Sequence, residues 1–125
     1  MKKPLLIISI ALISMFGTIC NAQKTFVEKY TFYVTNVNDK ISEPKYATIT
    51  VIFNDGDTTD IVVYATDIPK RFYRTGQITK GKTNGGYEYQ VVTCIDSETG
   101  KQVEIQLFDD ACRIFMGTDY IEYDK

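Results

Sequence analysis

The chain has no histidine, no tryptophan and only three prolines in 125 residues. Without histidine, Ser-His-Asp and Cys-His catalysis are excluded, and so are zinc sites built on imidazole. A basic surplus is missing as well. Setting aside Lys2 and Lys3, twelve basic residues face sixteen acidic ones, a net charge of −4. That argues against a nucleic-acid binder, which needs a basic face, and gives no pull toward an anionic membrane. Beyond the first two dozen residues there is no long apolar run and no sustained 3.6-residue periodicity, so neither a membrane-spanning helix nor a helical bundle is expected. No internal repeat, low-complexity tract or interdomain linker interrupts the chain.

The one long apolar run, Leu5 to Phe16, follows Lys2 and Lys3 and precedes the triplet Cys20-Asn21-Ala22. A charged start, an apolar middle and small residues at −3 and −1 make a secretory signal. Residues 1–22 are therefore expected to be removed, leaving Gln23 as the first residue of an exported protein, periplasmic or extracellular. Lipidation at Cys20 would tether the chain to a membrane, but bulky Ile19 before it argues against that processing. Residues 23–125 suffice for one domain with a modest core.

Those residues are rich in Val, Ile, Tyr, Phe and Thr in short runs separated by Gly, Asp and Asn, the pattern of strands and turns. Eight strands are predicted near 25–35, 46–53, 59–66, 70–80, 87–96, 101–108, 111–116 and 119–124, with a polar loop from Asn36 to Pro44. The first alternates with Phe26, Tyr30, Phe32 and Val34 on one face. The second does so with Ala47, Ile49, Val51 and Phe53.

Turn chemistry predicts register, because side chains alternate with period two. Ser97-Glu98-Thr99-Gly100-Lys101 reads as a three-residue hairpin loop with Gly100 in the left-handed position. That pairs Ile95 with Val103, Thr93 with Ile105 and Val91 with Leu107. A turn at Asp109-Asp110 pairs Leu107 with Cys112 and Ile105 with Ile114. A turn at Gly117-Thr118 pairs Ile114 with Ile121 and Cys112 with Tyr123. Upstream, Phe72, Gly76 and Ile78 are expected to face Ile95, Val91 and Tyr89. The expected fold is all-β: a small antiparallel up-and-down barrel of about eight strands, lipocalin-like in architecture only, with a two-sheet β-sandwich as the alternative. This register buries Cys112 and turns Cys94 outward. It predicts no disulfide between them, and a reactive thiol at Cys94.

Several local patterns resemble chemistry. Gly76-Gln77-Ile78-Thr79-Lys80-Gly81-Lys82-Thr83 matches the phosphate-loop pattern, and Val91 to Asp96 imitates the strand that accompanies it. The chemistry needs a helix opening at the loop, whereas Asn84-Gly85-Gly86 and another strand follow, so nucleotide binding is not expected. Asn54-Asp55-Gly56-Asp57-Thr58-Thr59-Asp60 is rich in oxygen ligands but lacks calcium-loop spacing. It reads as a hairpin turn. Glu88 and Glu104 fall together on the face opposite the core, where carboxylates are ordinarily just solvated. The tyrosines and phenylalanines are expected mainly in cross-strand packing.

Arg74 stands out. The register places it on the apolar face opposite Thr93, and a buried guanidinium must be paired. An acid such as Glu28 would satisfy it structurally. A ligand carboxylate or phosphate, with Thr93 and Tyr89 as helpers, would make it a binding site. The functional expectation is an exported non-catalytic binding domain for a small anionic or amphipathic ligand inside the barrel, around Arg74, Thr93 and Tyr89. The alternative is a protein–protein interaction module, an inhibitor or envelope accessory protein, working through strand edges or the aromatic outer face. An enzyme using carboxylates is the third and weakest class. No catalytic residue, metal or cofactor is assigned.

Overall fold

The computed structural model describes residues 24–65 and 68–125. The expected signal segment lies outside the described residues. Ten strands follow in chain order: β1 (Phe26–Val37), β2 (Lys40–Ile41), β3 (Lys45–Phe53), β4 (Ile61–Tyr64), β5 (Lys70–Arg74), β6 (Thr79–Lys82), β7 (Glu88–Asp96), β8 (Gln102–Leu107), β9 (Ala111–Met116) and β10 (Asp119–Asp124). Eight form a closed antiparallel ring, β1-β3-β4-β5-β7-β8-β9-β10, completed by pairing of β10 with β1. The fold is thus the expected small barrel and not the sandwich. Closure matters because an open sheet this short would leave two rows of unpaired backbone groups exposed. β2 folds back on the end of β1, and β6 pairs with β7 beside β5.

Apolar residues from alternate positions fill the interior. Tyr30, Ile49, Val51, Val63, Phe72, Val92, Ile105 and Ile114 are buried, and each such side chain contributes about 1.5–3 kcal/mol on leaving water. β3 alternates as expected, with Ile49, Val51 and Phe53 inside. So do β9 and β10, where Ile114 pairs with Ile121 and Cys112 with Tyr123. Gly117 takes a φ of 69° at that turn, open to glycine without strain.

Four features differ from the expected register. The hairpin between β7 and β8 slips by one residue: Cys94 pairs with Val103, Thr93 with Glu104 and Val92 with Ile105. Its loop is four residues long, closed by Asp96 N donating to Lys101 O at 2.9 Å and Gly100 N donating to Asp96 O at 2.8 Å. The Asp96 carboxylate accepts from the backbone N–H of Glu98 at 2.8 Å and of Thr99 at 3.3 Å, which draws the closing pair back by one. A one-residue slip inverts the faces. Val92, Cys94 and Asp96 point inward, while Val91, Thr93 and Ile95 do not. Second, the expected strand 70–80 is two strands, both against β7. Gly76 and Ile78 lie in the break, where Ile78 is exposed. Third, a register shift between Tyr30 and Phe32 turns Phe32 outward against Tyr46 and brings Tyr33 to the core. Fourth, the expected 36–44 loop contains a tight hairpin, with Asn38 and Asp39 at φ of 53° and 64°.

Both ends of the described chain lie at one rim. Asn54, in the β3–β4 loop, receives Thr25 Oγ1 on its carbonyl at 2.6 Å and donates its amide to the Lys24 carbonyl at 3.0 Å. Lys125 pairs with Glu28 at 2.8 Å and donates its backbone N–H to Asp110 O. Lys70, the β7–β8 loop and the β9–β10 turn lie at the opposite rim.

Candidate functional site

Arg74 ends β5 opposite Cys94, with interior orientation. It lines a cavity with Ile61, Val92, Ile105 and Leu107, and its side chain makes no ion pair or hydrogen bond among the described residues. That cavity has a volume of only about 30 Å³. Such a space takes one or two waters and no organic ligand. Thr93 and Tyr89 are not brought to Arg74. Thr93 faces outward, and its carbonyl accepts from Thr75 N at 2.9 Å and from Thr75 Oγ1 at 3.2 Å. The Tyr89 ring stacks on Phe108 at 4.8 Å and lies over Gly81, where an added Cβ would fall 2.6 Å from the ring. Glu28, the expected internal partner of Arg74, is taken by Lys125.

Arg71 bridges Asp55 at 2.7 Å and Asp60 at 2.9 Å, so the acidic loop is clamped by a guanidinium. Among the described residues no group of three or more acids or thiols is arranged around a metal-sized site. The phosphate-loop lookalike is β6 and its turn, where Thr83 N donates to Tyr87 O at 2.9 Å and Gly86 N to Thr83 O at 3.0 Å. No helix opens there. Glu88 falls on the same alternation as Val92 and Cys94 but is exposed at the start of β7, paired with Lys82, whereas Glu104 faces out and accepts from Gln106 Nε2 at 2.7 Å. The two are not on one face.

Three other places hold more room, one of them an open cleft of about 410 Å³ lined by Glu28, Lys80, Glu88, Tyr89 and Phe108. On the outer surface, Tyr89, Phe108, Arg113, Tyr120 and Phe115 form a ladder, the Arg113 guanidinium lying 5.2 Å from the Phe108 ring centre and 5.4 Å from that of Tyr120. Beside it a groove of about 580 Å³ is lined by Tyr87, Glu88, Asp109, Asp110, Glu122 and Asp124. Arg113 Nε donates to Glu122. Asp124 is pushed up to about 7, first by burial, then by its hydrogen bond to Glu122 and the charges of Glu122 and Asp110, with Arg113 opposing. Carboxyl groups in hydrogen-bond contact are too close to flank a glycosidic bond, which needs at least about 5 Å between them.

At the rim away from the termini lies a recess of about 380 Å³. Val63, Phe72, Ile114 and Tyr123 form its floor, and Ile68, Met116 and Ile121 its lip. Ile68 is 74% exposed and Met116 is 52% exposed. One wall is polar. Lys70 Nζ lies 2.8 Å from both Asp96 Oδ2 and Glu98 Oε1. Burial works against ionisation of Asp96, but the Lys70 bond and the Glu98 and Thr99 amides outweigh it and hold the acid below its usual range. Burial likewise works against the Lys70 charge, and the two carboxylates outweigh it and raise the ammonium. Sequence reasoning missed this recess. Its one local signal was an acid placed immediately before Ser97-Glu98-Thr99-Gly100.

No family model, curated protein or solved structure matches this chain.

Proposed function

We propose that the chain is an exported, non-catalytic binding domain that takes a small amphipathic ligand into the recess between β5, β9 and β10. The observation that supports this is an apolar floor of Val63, Phe72, Ile114 and Tyr123 under about 380 Å³ of free space, where the Arg74 cavity has about 30 Å³ and the larger spaces of about 410 and 580 Å³ are lined by carboxylates. Small-molecule sites run from about 300 to 1,000 Å³, mostly apolar with a few convergent polar groups. The ligand position expected at Arg74 therefore moves to the other end of the barrel. A neutral naphthylamine fluorophore tests this reading. It should bind the wild type and lose about tenfold in affinity in Met116→Glu, since a charge at the lip opposes apolar contact. Unchanged binding by a folded Met116→Glu protein would sink the proposal. A protein–protein module is the second reading, favoured by the aromatic ladder around Arg113. Under it, Met116→Glu is silent toward the partner.

A further inference from the structure

We infer that the recess selects an anionic amphiphile whose carboxylate docks on Lys70 in place of Glu98. This rests on the recess being the binding site. Among the described residues lining it, Lys70 is the one cation. Its Nζ lies 6.0 Å from the centre of the Phe72 ring, part of the apolar floor, so the ammonium stands where a ligand's polar head would meet its tail. The two acids on Lys70 are held very differently. The Asp96 side chain is 4% exposed and fixed by two backbone amides as well as by Lys70. The Glu98 side chain is 61% exposed, and Lys70 is its one partner among the described residues. Exposed pairs of this kind contribute little, so exchanging Glu98 for a ligand carboxylate costs little. An ammonium ligand has the opposite difficulty. Asp96 is buried with both oxygens already engaged, and a pair made with exposed Glu98 would be solvated and weak.

Octanoate, octanol and octylamine share one tail and differ in the head. They are compared by displacement of the naphthylamine fluorophore. Octanoate should bind about fivefold tighter than octanol, the increment of a partly shielded ion pair. Glu98→Gln should widen that gap, because the competing anion is gone. Lys70→Met should abolish it. Glu98 is exposed, so its variant tests the idea even if Lys70→Met is too unstable to study. Octanol binding as tightly as octanoate, or octylamine binding tightest, overturns the anion preference and leaves the recess standing. Failure of all three to displace the fluorophore overturns the recess and the anion preference together.

Discussion

At the scale of single residues, charge crowding is concentrated at Asp124. In an unfolded chain its carboxyl would titrate near 3.9. Folded, burial and the proton shared with Glu122 hold it up to about 7. The folded state therefore keeps a proton that the unfolded state has lost, and the sign follows. This stabilisation is present in full below about pH 4 and fades as pH rises toward 7. Asp124→Asn removes the titration. The variant should match the wild type at pH 4 and exceed it at pH 8, by on the order of 1–2 kcal/mol after allowance for solvent screening. Urea melts across that range measure it, and a variant less stable at pH 8 would contradict it. Nothing in the sequence marked Asp124. Its neighbours Asp110, in the β8–β9 turn, and Arg113, on β9, come from elsewhere in the chain, and only the register of β9 on β10 brings them together. Arg74 shows the converse. Alternation read its inward orientation correctly, but sequence carries no measure of free volume, and the space beside it turned out to be water-sized.

Among the elements, the two-residue turns were legible because their geometry leaves few choices, and the β8–β9 and β9–β10 registers follow from them. The β7–β8 hairpin was not, because Asp96 competes with the glycine for control of the loop. Gly100 occupies a left-handed conformation at φ 72°, as expected, but the side chain of Asp96 sets how many residues precede it. Everything placed by that register moved with it: Cys94 went inward and Thr93 outward. The breaks in β1 and between β5 and β6 were hidden for a similar reason, since a bulge leaves no mark in composition. Asp96 can be tested in two steps. Asp96→Asn keeps an oxygen for the Glu98 and Thr99 amides and loses only the charge toward Lys70, so it should cost about 1 kcal/mol. Asp96→Ala loses both and should cost about 2–3 kcal/mol. Equal costs in denaturant melts would show that the turn does not depend on that carboxylate.

For the whole molecule, closure of the ring governs access to the interior. Cys94 and Cys112 are both free and fully buried, and burial pushes each thiol up to about 12. The expectation of an exposed, reactive Cys94 fails with the slipped register. The expectation that the two are unbonded agrees with the structure, although both now face the interior. A barrel without free edges gives a reagent few local openings. Both thiols should therefore be alkylated at one common rate, set by global unfolding and rising together with denaturant. Rapid labelling of Cys94 alone in native protein would contradict this.

An even number of strands in an up-and-down ring has a consequence for attachment. Lys24 and Lys125 both leave from the rim of Asn54 and Asp110, on the far side from Lys70 and Met116. A tag, a fusion partner or a lipid anchor joined to either terminus would hang from that rim. The recess would then point away from whatever surface the protein is fastened to, free to meet what diffuses past.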